Sequence, residues 1–102
     1  MLELRPTCEH CNKLLPPDST DAMICTFECT FCKSCVENVL FNVCSNCGGG
    51  FVPRPIRPKV NHKGDNHLGK YPPSEKIRHR PVDPAKHKEF CKKFKDIPPE
   101  KR

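Results

Sequence analysis

The chain has 102 residues, of which 35% are hydrophobic and 29% are charged, and its formal net charge is +6. Leucine, isoleucine, valine and phenylalanine make up about a fifth of it, close to the level at which burial alone no longer folds a chain. A membrane-spanning protein is excluded, because no stretch approaches about 18 apolar residues. The nine cysteines are therefore expected to supply stability, either as disulfides or as metal ligands.

The N-terminal residues, Met1–Pro6, do not have the basic segment followed by an apolar segment that marks a secretory signal. We therefore expect the protein to stay in a reducing compartment, the cytoplasm. In such a compartment closely spaced cysteines bind metal ions or take part in catalysis and do not form stable disulfides.

Eight of the cysteines lie in the first 47 residues, with a spacing typical of metal ligands. Three pairs are separated by two residues, which lets both thiolates of a pair turn toward one ion in a tight knuckle. Eight thiolates make two closed sites of four. This is the ligand set of structural zinc, and it leaves no open position for catalytic water. The sequence thus predicts two structural Zn²⁺ ions and no enzymatic activity, with four disulfides or iron–sulfur clusters as the alternatives.

The spacing alone leaves open which cysteines share an ion. In a sequential arrangement the first four cysteines bind one ion and the last four bind the other. In a cross-brace the two sets alternate along the chain: Cys8, Cys11, Cys32 and Cys35 form site one, and Cys25, Cys29, Cys44 and Cys47 form site two.

Two short elements are predicted within this head. The run Ala22–Cys29 is β-prone and fits a hairpin. Val36–Phe41 has apolar residues at helical spacing and predicts a short helix that begins at Cys35, where the helix dipole would stabilise a thiolate. The apolar residues expected to pack between the ions are Leu2, Leu4, Leu14, Leu15, Ile24, Phe27, Phe31, Val36, Val39, Leu40 and Val43.

The run from Cys29 to Val36, followed by Leu40, resembles the RING finger. It contains a ligand, an aromatic residue, a Cys-x2-Cys pair and a helix that opens on an apolar residue. The order and gaps of all eight ligands also fit, with Cys29 at the position usually held by histidine. This resemblance implies a small zinc-stabilised α+β fold of treble-clef type, with the cross-brace pairing.

The resemblance does not extend to ubiquitin ligase activity. Ligase-type RING fingers contact a conjugating enzyme through apolar residues beside the first ligand pair, and Glu9 and His10 occupy that place here. Ser45 stands where proline is common, and Gly48 stands where a basic residue is common. We expect the scaffold without the activity.

Four further motifs lie between Met1 and about Pro58: Leu4-Arg5-Pro6, Phe27-Glu28-Cys29-Thr30-Phe31-Cys32, Cys47-Gly48-Gly49 and Pro53-Arg54-Pro55. With these motifs the segment resembles more closely a small, mostly bacterial, cysteine-rich family known as domain of unknown function 1272. The resemblance implies no activity.

Charge divides the chain at Cys47. Residues 1–47 carry a net charge of −3, whereas residues 48–102 carry +9 and nine of the twelve prolines. We therefore predict a two-zinc head at 1–50, an extended proline-rich segment at 51–82, and a short amphipathic helix with a terminal tail at 83–102.

The basic extension, residues 51–102, is expected to pack partly on the acidic head or to bind nucleic acid. The candidates for phosphate contacts are Arg54, Arg57, Lys59, Arg78, Arg80, Lys92, Lys93 and Lys95.

Asp83 and Pro84 supply an N-cap and a first-turn proline for the terminal helix. We expect Phe90 and Phe94 to dock this helix on a protein surface, either its own head or another protein. His87 and Cys91 share that face and are compatible with a third metal site that also includes His62, His67 and His79.

The function that follows is a non-catalytic zinc-binding protein, acting as a protein-interaction module with an unidentified protein partner and no membrane. Two other functions remain open: a nucleic-acid-associated zinc protein that uses the basic extension, and a redox responder whose thiolates release zinc on oxidation.

Overall fold

The β-prone run in the head forms a hairpin whose second strand lies further along the chain than predicted. In the computed structural model, which describes all 102 residues, β1 (Ala22–Ile24) pairs antiparallel with β2 (Thr30–Cys32). Cys25 to Cys29 form the turn, in which the Cys25 amide donates to the Cys29 carbonyl oxygen at 3.2 Å. Glu28 has a φ of 66°, and this left-handed residue reverses the chain before β2.

Helix α1 (Lys33–Cys35) follows β2 without a loop and continues as a π-helical turn, Val36–Leu40. The helix therefore begins two residues earlier than predicted, so that Cys32 precedes its first turn and Cys35 lies within it. It ends at Phe41 and Asn42, whose φ angles of 53° and 58° are both left-handed and stop helical propagation.

A third strand, β3 (Val52–Pro53), pairs antiparallel with β1 and makes β1 the centre of a three-stranded sheet. The register places Met23 opposite both Phe31 and Pro53. The sheet of the head thus includes residues that follow the predicted boundary at residue 50.

The core lies between this sheet and α1, and it includes one aromatic residue that sequence reasoning missed. Phe51 is buried against Phe31, edge to face, with ring centroids 5.5 Å apart. Leu14 and Phe27, which were expected to be in the core, are instead 75% and 71% exposed. Phe27 points outward because it lies in the hairpin turn. The expected residues that are buried are Leu4, Leu15, Ile24, Phe31, Val36, Leu40 and Val43.

The extension contains one regular helix, α2 (Pro84–Cys91), and a final 3-10 turn, Pro99–Lys101. The predicted N-cap forms, because the Asp83 carboxylate accepts hydrogen bonds from the amides of Ala85 and Lys86. Helix α2 packs against the π-helical turn of the head. None of the helices has the length and apolar character needed to cross a membrane.

Candidate metal centre

The first cysteine cluster joins the knuckle at the start of the chain to the junction of β2 and α1. The Sγ atoms of Cys8, Cys11, Cys32 and Cys35 all lie within 4.8 Å of one another. The Sγ atoms of Cys11 and Cys32, which come from different pairs, are 3.8 Å apart. A tetrahedral zinc ion with Zn–S bonds of about 2.3 Å has edges of about 3.8 Å, so the spacing fits this ion. Three of the four residues are buried, and Cys11 is at the surface.

Backbone hydrogen bonds give the first knuckle its shape. The amide of Asn12 donates to the Cys8 carbonyl oxygen at 3.0 Å, and the amide of Cys8 donates to the Lys13 carbonyl oxygen at 2.9 Å. Asn12 is left-handed, with a φ of 62°, which lets the chain turn back after the second cysteine.

The second knuckle repeats this pattern. The amide of Gly48 donates to the Cys44 carbonyl oxygen, and the amide of Cys44 donates to the Gly49 carbonyl oxygen, both at 2.8 Å. Gly48 has a φ of 77°, which is the counterpart of Asn12 in the first knuckle. The same Cys-x2-Cys spacing has therefore produced the same local fold twice.

The second cluster is built on this knuckle and on the hairpin turn. The Sγ atoms of Cys25, Cys44 and Cys47 lie within 4.8 Å of one another. Each accepts a backbone N–H hydrogen bond at 3.4 Å from the residue two positions later in the chain. These bonds orient the sulfur atoms and would stabilise the thiolate form.

Cys29, the eighth predicted ligand, lies beside the second cluster, but its Sγ is not within 4.8 Å of all three of the other sulfur atoms. It is buried, and the side-chain amide of Asn46 donates to its Sγ at 3.3 Å. Hydrogen bonds from Cys44, and then from Asn46, lower the pKa of Cys29 to about 5. Burial raises the pKa of Cys25 to about 11. Seven predicted ligands are thus in two tight groups, with Cys29 adjacent to the second.

Glu9, between the cysteines of the first knuckle, has a structural role that sequence reasoning missed. Glu9 is 1% exposed. It accepts hydrogen bonds from Arg5 Nη1 at 3.0 Å, from the amide of Thr30, and from Arg80 Nη2 at 3.2 Å. One buried carboxylate therefore joins the knuckle, the hairpin and the extension.

The arginines of the extension are directed at the head. Arg54 is 4% exposed, and its guanidinium donates to the carbonyl oxygens of Arg5, Leu15 and Pro16. Burial lowers its pKa. Arg57 donates to the carbonyl oxygens of Tyr71 and Leu2, at 2.6 Å and 2.8 Å. Both residues were candidates for phosphate contacts, and both have internal partners.

The other six phosphate candidates differ in their surroundings. Arg78 Nη2 lies 3.6 Å from a Glu3 carboxylate oxygen, and Arg80 contacts Glu9. Lys93 and Lys95 are exposed. Two others form exposed ion pairs, Lys59 with Asp18 at 3.2 Å and Lys92 with Glu89 at 2.9 Å.

Helix α2 docks through His87 and Cys91, whereas Phe90 and Phe94 were expected to dock it. His87 is 3% exposed and Cys91 is 1% exposed. His87 Nε2 donates to the Leu40 carbonyl oxygen at 3.0 Å, and Cys91 Sγ donates to the same oxygen at 3.6 Å. They therefore share the Leu40 carbonyl oxygen at the end of the π-helical turn with the backbone amide of Val43, which donates to it at 3.0 Å. Phe90 is 38% exposed.

The third metal site considered from the sequence does not assemble. His87 and Cys91 face the Leu40 carbonyl, while His79 Nε2 contacts the His10 carbonyl oxygen at 3.0 Å. His67 Nδ1 accepts a hydrogen bond from the amide of Gly69. These histidines have separate partners, and none lies in a group of three or more metal-binding side chains.

A small α+β fold with two groups of clustered cysteines defines the class: a cysteine-rich protein whose sulfur atoms could hold metal ions. The chain belongs to the family described as "Protein of unknown function (DUF1272)", which matches residues 1–57 and confirms the resemblance found in the sequence. An uncharacterized protein of Rhizobium meliloti (strain 1021) is 58% identical over 74 residues, covering 72% of this chain and 81% of that protein. No solved structure matches the chain.

Proposed function

We propose that the protein is a non-catalytic, two-zinc scaffold of RING-like, treble-clef type that acts as a protein-interaction module in the cytoplasm. The ions are held in a cross-brace, with Cys8, Cys11, Cys32 and Cys35 in site one and Cys25, Cys29, Cys44 and Cys47 in site two.

The observation that carries the proposal is the 3.8 Å separation of Cys11 Sγ and Cys32 Sγ. These cysteines belong to the first and third groups along the chain. Their contact supports a site that skips Cys25 and Cys29, as a cross-brace requires. A sequential arrangement would instead need Cys32 close to Cys44 and Cys47.

Asn46 supports Cys29 as the fourth ligand of site two. Its side chain extends from the second knuckle to Cys29 Sγ at 3.3 Å, which ties the two parts of the site together. With Cys29, site two has the same set of four thiolates as site one.

The donor set favours zinc and a structural role. Four thiolates suit a soft or borderline ion such as Zn²⁺ and fit a reducing compartment. A closed set leaves no coordination position for water or substrate, so hydrolytic chemistry is not expected at either site. The ions would instead replace the large apolar core that the composition does not provide.

An interaction role is supported by the side chains on the surface of the head. Leu14, Phe27 and Val52 are 75%, 71% and 61% exposed, although each extends from a segment held by the cysteine clusters or the sheet. A rigid scaffold that exposes large apolar side chains is suited to binding another protein. The inward-facing Arg54 and Arg57 weaken the alternative of nucleic-acid binding, because their guanidinium groups are already occupied.

Native mass spectrometry of the intact protein tests the scaffold. Two zinc ions per chain are expected. Cys47→Ser should lose the ion of site two, while Cys91→Ser, which changes the cysteine outside the clusters, should retain both. A chain with no metal, or equal metal loss in the two variants, would overturn the proposal.

A further inference from the structure

Helix α2 presents a surface that the docking of the helix leaves open. Because His87 and Cys91 face the head, Phe90 and Phe94 lie to one side, with ring centroids 4.8 Å apart and an interplanar angle of 62°. The ring of Phe90 also lies against Gly48 of the second knuckle, where an added Cβ would be 3.7 Å from the Phe90 Cζ atom. Phe90 is therefore in contact with the head, and Phe94 packs against Phe90.

Two adjoining hollows border this pair, and together we call them the α2 groove. One, of about 370 Å³, lies between the second knuckle and the start of α2, and the other, of about 440 Å³, lies along α2 itself. Lys86 and Phe90 line both hollows, so the groove is continuous past the aromatic pair. Lys93 and Phe94 line the second hollow.

The groove carries positive charge that nothing in the chain neutralises. Of its acidic residues, Asp83 caps the N-terminus of α2 and Glu89 pairs with Lys92 at 2.9 Å. Lys86 and Lys93 have no acidic partner within 4.0 Å, and both are exposed. The groove thus combines an apolar floor with two free ammonium groups.

The arginines help to distinguish between the anionic ligands that such a groove would accept. All six arginines contact acceptor groups of this chain, and Arg80, which lines the first hollow, already pairs with Glu9. The cations of the groove without an acidic partner are therefore lysines, which lack the fork that binds phosphate through two hydrogen bonds. The two phenylalanine rings meet edge to face, which does not provide parallel platforms for successive stacked bases. An apolar side chain flanked by carboxylates fits these features better.

We infer that the α2 groove binds an acidic segment of a partner protein, with an apolar side chain on Phe90 and Phe94 and carboxylates at Lys86 and Lys93. This inference rests on the proposed interaction role and names the chemistry of the partner. Charge complementarity orients the acidic segment and increases its association rate, and the aromatic pair anchors its apolar side chain.

A random peptide display library panned against the zinc-loaded, full-length protein tests the inference. Peptides with acidic residues beside an apolar residue should be enriched. By fluorescence anisotropy, the double variant Lys86→Glu/Lys93→Glu should bind the best peptide at least about tenfold more weakly, since two attractive pairs become repulsive. Phe94→Ala should also weaken binding of the best peptide.

The matched control is Lys88→Glu/Lys95→Glu, which makes the same charge change on exposed residues that do not line the groove. Its affinity should stay within about twofold of the unmodified protein. The inference is overturned if acidic peptides are not enriched, if both double variants bind equally weakly, or if labelled single-stranded oligothymidylate binds more tightly than the best peptide.

The zinc content of each variant is measured first by native mass spectrometry. Two ions with no groove-dependent binding would reject the groove and leave the scaffold intact, whereas fewer than two ions would reject the scaffold itself. Peptides that bind but lose affinity on Phe27→Ser, and not on the groove variants, would support an interaction module with a different surface.

Discussion

The carboxylate of Glu9 binds the guanidinium of Arg80 at 3.2 Å, across 71 positions of the chain. The backbone repeats the link, because the amide of Arg80 donates to the Glu9 carbonyl oxygen at 2.8 Å. Two positions further on, the amide of Val82 donates to His10 Nδ1 at 2.9 Å. The extension therefore adds backbone and side-chain contacts directly to the first metal knuckle, and it contributes to the fold of the head.

Glu9→Gln tests this link. The substitution keeps an acceptor for Thr30 but removes the negative charge that holds Arg5 and Arg80, so we expect a loss of about 2 kcal/mol in the free energy of unfolding. Urea unfolding of the zinc-loaded protein measures this change in the free energy of unfolding. Glu37→Gln, an exposed carboxylate on the head, should change stability by less than about 0.5 kcal/mol. Equal effects would show that the Glu9 network contributes no specific stability.

Arg54→Met should be more destabilising than a surface substitution. The buried guanidinium of Arg54 donates to three carbonyl oxygens. Methionine would fill a similar volume but leave the oxygens of Arg5 and Leu15 without a donor, while the Pro16 oxygen keeps the Ser19 amide. A loss of about 2–4 kcal/mol is expected. Lys59→Met removes an exposed ion pair with Asp18 and should cost at most about 1 kcal/mol. A similar midpoint of urea unfolding for the two variants would contradict this assignment.

Asn46→Ala should weaken metal binding at site two. Loss of the hydrogen bond to Cys29 Sγ removes a group that orients a ligand, and such partners typically contribute about 10–100-fold to metal affinity. Competition with a chromogenic chelator should show one of the two ions released at lower chelator concentration. Asn38→Ala, which removes a surface hydrogen bond to Ser34, should leave both ions unaffected. Weakening of both sites together would argue against a role confined to site two.

His87→Ala should release α2 from the head without loss of zinc. The Leu40 carbonyl oxygen would lose the stronger of its two donors from α2, and the amides of α2 should exchange faster with deuterium. His87→Gln keeps a side-chain donor and should restore part of the protection. If the amides of α2 exchange at the same rate in all three proteins, the helix is held by other contacts.

Removal of zinc should unfold the head. Apparent zinc-binding energies in small finger peptides are about 10–16 kcal/mol, more than the small apolar core is expected to supply. Chelation should abolish the circular dichroism signal of the folded protein, and added Zn²⁺ should restore it. An unchanged spectrum would show that the fold does not depend on metal.

Several features of the site were predictable because they depend on residues close together in the chain. A gap of two residues between cysteines, followed by Asn12 or Gly48, closes a knuckle through local hydrogen bonds. Asp83 before Pro84 starts α2 by the same kind of local interaction. The chemistry of the ligands is likewise a property of residue type, which is why their number and softness indicated zinc.

Other features depend on contacts between distant segments. One face of α2 carries two pairs of residues, His87 with Cys91 and Phe90 with Phe94. Helical spacing alone would allow either pair to face the head. The Leu40 carbonyl oxygen, 47 positions from His87, accepts hydrogen bonds from His87 and Cys91, and these bonds turn that half of the helix toward the head. The charge of Arg54 suggested an external phosphate, whereas three backbone carbonyls, two of them 38 and 39 positions away, hold it inside.

The sequence by itself determined the family, the knuckles and the ligand chemistry, since these depend on residue type and short spacing. Only the tertiary structure decided that Cys11 meets Cys32, that Glu9 is buried, and that His87 and Cys91, not Phe90 and Phe94, face the Leu40 carbonyl. Burial and the choice of hydrogen-bond partner are settled by which segments compete for the same space, and that competition is not encoded in any short stretch of the chain.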